Sequence, residues 1–532
     1  MRFRLFICIS IIAIAASCKG GDPDVRVKPP TLGWSSWNAC LLDITDSLIC
    51  AQADAMVSTG LAAAGYDHIN IDDGFFGPRD AGGGMTARPD RFPRGMAPVA
   101  DYIHSCGLKA GIYSDAGGST CANLNRGDFY GAGAGLLGHD AQDIDRYFNE
   151  WGFDFIKIDF CGGLGPKLDP ETRYRRIREV IDSVATKDVE FNLCRWYFPG
   201  AWAAEVADSW RIAPDLYVTW KSICEAMQRN MYLSAYAGGG HYNDMDMMIV
   251  GYGNKPAAQR GEGCLPFGEE QAHFGLWCIM SSPILLGCDL NFIPRETLDL
   301  VTNPELLAIN QDPLGLQAHV VRHDGGSYVL AKDILKARGP FRAVALYNPA
   351  DTSATVSFEP ADIGFCGKVA LRDLMERKDL GRFAEVSMQL PPHSAKILSV
   401  QGRRLDQKVY EAEWGFLPAY NDISPEGAKY TEMEGLHCRA GVIRLGGAQT
   451  NRLEWRDVYV RRAGSYKCTL RYTSRQDCDV FVRSGDSRIE LHLPHSDSGE
   501  VKFNLSLHKG RNLIVLGNDT ELIPAVIDCI SI

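Results

Sequence analysis

The chain has 532 residues, 45% of them hydrophobic and 10% aromatic, with a formal net charge of −11. That length exceeds one compact domain and the apolar content can fill several cores, so two to four domains are expected and a disordered or fibrous chain is excluded. The acidic balance, without a basic run or a basic-aromatic stripe, excludes nucleic acid as the main partner and favours a neutral ligand.

The N-terminus reads MRFRLFICISIIAIAASCKGGDPD. Arg2 and Arg4 form a short basic region, Leu5 to Ala16 an apolar stretch too short to remain as a membrane span, and small residues lead to Cys18. This resembles a bacterial lipoprotein signal, cleaved before Cys18. The resemblance implies an acylated Cys18, a tether over residues 19–25, membrane contact only through that lipid, and residence in the bacterial cell envelope, on the periplasmic side or the outer-membrane surface. An ordinary secretory signal with a chance cysteine is the alternative. Export permits disulfides among the 17 cysteines; Cys8 would leave with the signal and Cys18 would carry lipid, so an odd number remains and complete internal pairing is impossible. No CxxC pair or HExxH helix points to a structural zinc site.

Eight short apolar runs then alternate with helical patterns: TLGWSSW (31–37), HINIDDGF (68–75), LKAGIYSD (108–115), DFIKIDFC (154–161), VEFNLCRW (189–196), DSWRIAPDL (208–216), HYNDMDMMIVG (241–251) and SPILLGCDL (282–290). Segments such as DAQDIDRYFNEWG and PETRYRRIREVIDSVA carry apolar residues at helical spacing between them. The pattern predicts an α/β architecture, a (β/α)8 TIM barrel over residues 26–315, with a doubly wound open sheet as the runner-up. Polar residues favour the barrel. Asp72 and Asp73 end the second run, Tyr113 and Asp115 the third, Asp159 the fourth, Arg195 and Trp196 the fifth, Asp215 the sixth and Asp246 the seventh. All fall at C-terminal strand ends, where barrel active sites are built.

In the fourth run, alternation turns Ile156 and Ile158 toward the helices and Phe155, Lys157 and Asp159 toward the barrel axis. Charge in a buried strand is expensive, and a structural ion pair is one explanation. A charged pair aimed into a concave rim is better explained by a polar ligand. Several acids around one rim also suit a metal, but Lys157 and Arg211 accompany them and disfavour a catalytic ion. Glycoside hydrolysis asks instead for two carboxylates flanking an anomeric carbon and further polar groups for sugar hydroxyls.

The segments LGWSSWN, INIDDGF, GLKAGIYSDAGGSTC, DFIKIDFC, ADSWRIAPDL, YNDMDMM and LAINQDPLG occur in one order over about residues 30–400. In that order they resemble glycoside hydrolase family 27, the melibiase or α-galactosidase family. The resemblance implies a barrel followed by an antiparallel β domain, and exo-acting, retaining release of terminal α-galactose from a glycan, with no cofactor for catalysis. It implies Asp159 as nucleophile and Asp215 as acid/base. Asp72 and Asp73 would hold the O4 and O6 hydroxyls, and Trp37 and Tyr113 would wall the pocket. Lys157 would be a hydroxyl ligand, with Arg211, Asp246 and Met247 completing the rim. It also implies a disulfide between Cys121 and Cys161 beside the site.

The chain departs from the family at Cys194-Arg195-Trp196, where members commonly carry Cys-Glu-Trp. Either Arg195 turns outward or pairs with an acid, or it reads the sugar's O2 or the neighbouring subsite. Bulky Tyr197 and Phe198 follow and disfavour a 2-N-acetyl group. The competing functions are a same-fold retaining enzyme acting on β-L-arabinopyranosides or α-glucans, and a non-catalytic glycan-binding lipoprotein. Two carboxylates in catalytic positions weigh against the second.

Beyond the barrel, SYVLAKDI, FRAVALYN, SATVSFEP and SAKILSV alternate as strands of an antiparallel β-sandwich over 316–402, and QGRRLDQK reads as a linker. Residues 405–532, with YEAE, AGSYKCTLRYTS and GRNLIVLGN, resemble carbohydrate-binding modules of the family 6 and 35 type, a second β-sandwich. The resemblance implies a structural calcium, with Glu411, Glu413 and Asp528 as candidates; a solvated acidic edge is the alternative.

Overall fold

The computed structural model describes residues 27–253, 263–424 and 426–532. The expected signal and Cys18 lie outside them. Eight parallel strands appear where the apolar runs placed them: β1 (Leu32–Ser35), β2 (His68–Asn70), β3 (Lys109–Asp115), β4 (Phe155–Asp159), β5 (Glu190–Leu193), β6 (Ser209–Arg211), β7 (Tyr242–Asp244) and β8 (Ile284–Leu286). The sheet runs β7-β6-β5-β4-β3-β2-β1-β8. Just past β7, Met248 bridges in parallel to Leu286. Its N–H donates to the Leu285 carbonyl (2.8 Å) and its carbonyl accepts from Gly287 N–H (3.2 Å), so the ring closes as a barrel. Most strands are shorter than their apolar runs, because the C-terminal ends leave the ladder to form the rim.

Local chemistry explains the helices that return each strand. In Pro170–Val184, Asp169 caps the start by accepting from Thr172 N–H (2.9 Å), and proline occupies the first turn. Its buried residues, Arg173, Tyr174, Ile177, Val180 and Ile181, recur at helical spacing and form the face laid on the barrel. Buried Arg173 is neutralised by Asp140 at 2.7 Å. The helix Phe267–Met280 differs, being buried continuously from Ala272 to Met280. It lies between the barrel and the second domain, where a Cβ on Gly275 would fall 2.5 Å from Met375 Cε.

The second domain is an antiparallel sandwich built from β9 (His319–Asp324), β10 (Ser327–Asp333), β11 (Phe341–Asn348), β12 (Ala354–Phe358), β13 (Phe365–Asp373), β14 (Lys378–Phe383), β15 (Val386–Leu390) and β16 (Ser394–Arg404). A six-stranded sheet, β14-β13-β16-β11-β10-β9, packs against the pair β12-β15 around Val344, Leu346, Val356, Phe358 and Leu398. The expected linker begins later than its composition suggested, since β16 continues through Gln401 to Arg404, which pairs with Phe365. From β10, the buried Lys332 donates to Ser281 Oγ (2.6 Å) and Ile309 O (2.7 Å) at the end of the barrel.

The third domain comprises β17 (Val409–Glu411), β18 (Lys429–Glu432), β19 (Ala440–Ile443), β20 (Leu453–Val460), β21 (Gly464–Ser474), β22 (Cys478–Ser484), β23 (Ser487–Leu493), β24 (Ser496–Leu507), β25 (Gly510–Gly517) and β26 (Ala525–Ser531). Its two sheets run β18-β19-β26-β21-β24, with β17 also on β26, and β20-β25-β22-β23. The domain docks on the barrel's flank: Tyr236 donates to Leu417 O (3.1 Å) and its ring packs on Phe416 (4.9 Å) and Phe198 (4.6 Å). Among the described residues no helix is long and apolar enough to cross a membrane.

Close strand approach in the barrel depends on glycine. A Cβ on Gly33 in β1 would lie 2.5 Å from the His68 carbonyl oxygen of β2, a backbone atom that cannot rotate away. Gly33→Ala is expected to lower stability by about 1–3 kcal/mol through overpacking. Gly268→Ala, in a helix with open space around its Cβ, should be neutral or slightly stabilising. Urea unfolding of both variants tests this; equal midpoints would refute the packing assignment.

Candidate active site

Strand pleating delivers the functional side chains. In β4, Ile156 and Ile158 are fully buried against the helices, whereas Phe155 and Lys157 reach a water-sized space of about 20 Å3 on the barrel axis. That space also meets Asp72, Tyr113, Arg211 and Asp246. Above it, at the C-terminal strand ends, opens a cavity of about 420 Å3, within the size range of small-molecule sites. Asp72, Asp73, Tyr113, Lys157, Asp159 and Asp215 line it, with Trp37 and Met247 as apolar walls.

Hydrogen bonds fix the acids. Past β2, Asp72 N–H donates to Ser36 Oγ (2.9 Å), Asp73 N–H to Asp72 Oδ1 (2.9 Å) and Gly74 N–H to Asp73 Oδ1 (2.8 Å). Ala122 N–H reaches the other Asp73 oxygen at 2.9 Å. Gly74 has φ +111°, which lets the chain leave this turn without the penalty a side chain would bring. Asp159 accepts from Tyr113 Oη (3.2 Å) and Phe160 N–H (3.2 Å).

Two cations, the part-buried Lys157 and the buried Arg211, pair with these carboxylates. Lys157 Nζ donates to Asp72 Oδ2 at 2.9 Å. Arg211 reaches Asp215 Oδ1 (3.0 Å) through one nitrogen and Asp246 Oδ1 (2.9 Å) through another. Burial, the largest single influence, would lower the lysine's pKa, but the negative groups around it, Asp72 foremost with Asp159 adding, together outweigh it and hold the ammonium charged, above its ordinary value. Burial pushes Asp73 up to about 7, against the pull of its Ala122 hydrogen bond. Burial likewise raises Asp159 to about 6, with Lys157 opposing and Asp215 adding to the rise. Asp215 is the more open of the pair facing the cavity, its side chain one-third exposed, whereas Asp159 is buried. The arrangement offers one buried carboxylate of raised basicity and one solvent-reachable carboxyl, facing one small space.

Cys121 and Cys161 are disulfide-bonded, with Cα atoms 5.1 Å apart, and both line the cavity. The bond ties the loop after β3 to the end of β4.

Of the residues singled out in the sequence, Trp37, Asp72, Asp73, Tyr113, Lys157, Asp159, Asp215 and Met247 meet at the cavity. Arg211 and Asp246 sit beneath it and bear on it through Asp215. Arg195 is not brought to it. Its guanidinium lies over the Phe160 ring, 5.9 Å from the centroid, and feels Asp169, so of the two readings of this departure the structure favours the outward one. The next residue, Trp196, turns in instead, with φ +64°. Tyr217, Asn125 and Arg126 complete the wall, and Arg126 lies 5.7 Å over the Trp37 ring. Their signals were faint: Tyr217 follows Asp215 by two, and Asn125 and Arg126 lie one helical turn past Cys121. In the third domain, Glu411, Glu413 and Asp528 come together with His437, Cys438 and Cys529.

Asp159 gives a pH-dependent stability signature. Its carboxyl is raised from 3.8 to about 6, so between those values the folded chain keeps a proton that the unfolded chain has released. Its contribution to stability therefore falls as pH rises through that window. Once ionised, it costs the fold about 3 kcal/mol. Asp159→Asn should melt with the parent near pH 4 and several degrees above it at pH 8, measured by calorimetry. A difference independent of pH would refute the assignment.

Comparison with known proteins agrees with this geometry. Residues 29–312 match the family model described as alpha galactosidase A, and residues 326–400 the model of the alpha-galactosidase C-terminal β-sandwich domain. An α-galactosidase of Oryza sativa subsp. japonica is 35% identical over 375 residues, 70% of this chain and 84% of the rice protein. Alpha-galactosidase A of Cellvibrio japonicus is 35% identical, over 66% of this chain and 83% of its own length. The crystal structure of α-galactosidase I from Mortierella vinacea superposes with a TM-score of 0.65 at 26% identity, covering 73% of this chain and all of that one. The chain belongs to the melibiase family, glycoside hydrolase family 27, and is a glycoside hydrolase.

Proposed function

We propose that the protein is an exo-acting, retaining α-galactosidase that removes terminal α-linked galactose from an oligo- or polysaccharide. The observation that carries this reading is one cavity faced by both Asp159 and Asp215, with Asp72 and Asp73 beside them. In the first step Asp159 attacks the anomeric carbon while Asp215 protonates the departing glycosidic oxygen. In the second, Asp215 takes a proton from water, which displaces Asp159 from the sugar. Raised basicity suits a nucleophile that must still be ionised near neutral pH, and partial exposure suits a group that exchanges protons with water. The adjacent Asp72 and Asp73 accept hydroxyls and favour a sugar carrying both O4 and O6, hence galactose over arabinopyranose. No cofactor enters either step.

The resemblance of the third domain to carbohydrate-binding modules supports a second contact with the glycan. Its carboxylates fit a hard cation: both oxygens of Glu413 and Oε2 of Glu411 are buried without a hydrogen-bond partner. His437 engages the other Glu411 oxygen at 2.6 Å and its backbone N–H reaches Asp528 at 2.9 Å, but the remaining bare oxygens are costly in such a place, and Glu411, Glu413 and Asp528 would hold a calcium ion that neutralises them. The N-terminal sequence supports delivery to the cell envelope on a lipid at Cys18, which would set the enzyme beside imported or surface-held glycan.

Three experiments test these readings. Asp159→Asn should fold yet turn over activated α-galactosides at least a thousandfold more slowly. Asp215→Ala should lose about tenfold or less on substrates with good leaving groups and far more on poor ones, which need protonation. Equal losses across a leaving-group series would remove the acid/base role. For the ion, a chelator should lower the third domain's melting temperature and added calcium should restore it; an unmoved transition would remove the site.

A further inference from the structure

A second cleft, of about 690 Å3, runs between the barrel and the third domain. The barrel contributes Arg175, Trp202 and Glu205, and the third domain contributes Phe416, Tyr420 and Arg456. We propose that this cleft binds a neutral oligosaccharide stretch of the same glycan whose terminal sugar enters the catalytic cavity, an inference that rests on the glycosidase reading.

Aromatic surface is present in the right form. Trp202, half-buried, stands on the buried Tyr174 ring at 6.2 Å and 28°. Across from it, the part-exposed Tyr420 stacks on Tyr236 at 5.9 Å. Rings fixed on one side and partly open offer flat faces to the C–H groups of a pyranose at little entropic cost. The loop is shaped around that indole. Gly200, at φ +128°, would place a Cβ 2.9 Å from the Trp202 ring, so a side chain there would displace it.

The charges favour a neutral ligand. Arg175 is paired with Glu171 and with Glu205, each at 2.9 Å, and Arg456 with Glu454 at 2.8 Å. Each cation already has its counter-charge, so the cleft offers planar donors and acceptors without a net field. Sugar hydroxyls suit such a lining, whereas an anion would meet carboxylates already engaged with the cations.

Position ties the cleft to catalysis. One segment supplies Trp196 to the catalytic cavity and residues 199–202 and 204–205 to the cleft. The opposite wall is anchored: Asp422 accepts from Phe198 N–H at 3.2 Å, and Phe198 packs on Tyr420 at 5.5 Å. A chain held here would be kept on the enzyme beside the segment that also walls the cavity, raising its effective concentration at the site.

The test uses the full chain with Trp202→Ala, Trp202→Phe and Glu205→Ala. Rates on galactomannan and on an aryl α-galactoside are compared, alongside migration in gels containing galactomannan. Trp202→Ala should lose about tenfold in kcat/KM on the polymer, through KM, and keep its rate on the aryl substrate. Trp202→Phe should retain most of the polymer activity. Should Trp202→Ala not fold, Glu205→Ala at an exposed side chain should lose two- to threefold on the polymer alone. An unchanged polymer-to-aryl ratio in the folded variants overturns the proposal. If the parent hydrolyses neither galactoside, the proposed activity fails while the gel still decides the cleft. Retardation of the parent that is lost in Trp202→Ala supports it. A parent that is not retarded, or a variant retarded equally, overturns it.

Discussion

Carboxylates cannot be gathered at a buried rim without counter-charge, and the whole site depends on how Lys157 and Arg211 supply it. Each is fixed by a strand of the barrel, β4 for the lysine and β6 for the arginine. Lys157 is committed to Asp72, and Arg211 is shared between Asp215 and Asp246. Asp159 is left without a direct ion pair of its own among the salt bridges of the site. Its basicity is set by burial and by the opposed fields of Lys157 and of Asp215 and Asp72, while hydrogen bonds from Tyr113 and Phe160 hold it in place. A one-residue shift of strand register would turn Lys157 from the axis to the helices and dissolve the balance.

The same logic separates what touches a ligand from what holds it. Arg211 and Asp246 lie one layer below the cavity, and Asp246 takes φ +85° there while accepting from Leu216 N–H at 2.8 Å. A non-glycine residue in that region is strained, and the surrounding ion pair over-determines it. Such a layer stiffens Asp215 from beneath while its carboxyl remains open to water.

Much of the fold and site was legible because period-two patterning and rim position are strong signals. All eight barrel strands lie within their apolar runs, and the inward set Phe155, Lys157, Asp159 follows from pleating alone. Arg195 was not legible. Its strand ends at Leu193, so alternation no longer governs the next residues, and the left-handed backbone at Trp196 exchanges which side chain enters the cavity. The linker boundary failed for a related reason. Gln401 to Arg404 read as polar, yet as part of β16 they pair with neighbouring strands, and backbone pairing is indifferent to that polarity. The inter-domain cleft left no trace in sequence, since its two walls, ending at Tyr236 and starting at Phe416, are 180 residues apart.

The helix Phe267–Met280 carries one more meaning. It is apolar on nearly every side because the barrel claims one face and β16 of the sandwich another, with Gly275 admitting Met375 and Ile397 at the seam. Lys332, whose amine burial drags down to about 7, is sealed at the same seam by carbonyls from the barrel. Neither unit therefore owns a finished surface. The barrel's hydrophobic cluster runs on into one face of the first sandwich across a nominal domain boundary, while the sandwich keeps a second cluster between its own sheets, so removing either unit alone would strip the shared seam of its cover. The third domain has its own separate interior and meets the barrel largely through tyrosines and polar bonds, so it is the unit whose loss would leave the other two packed as they are.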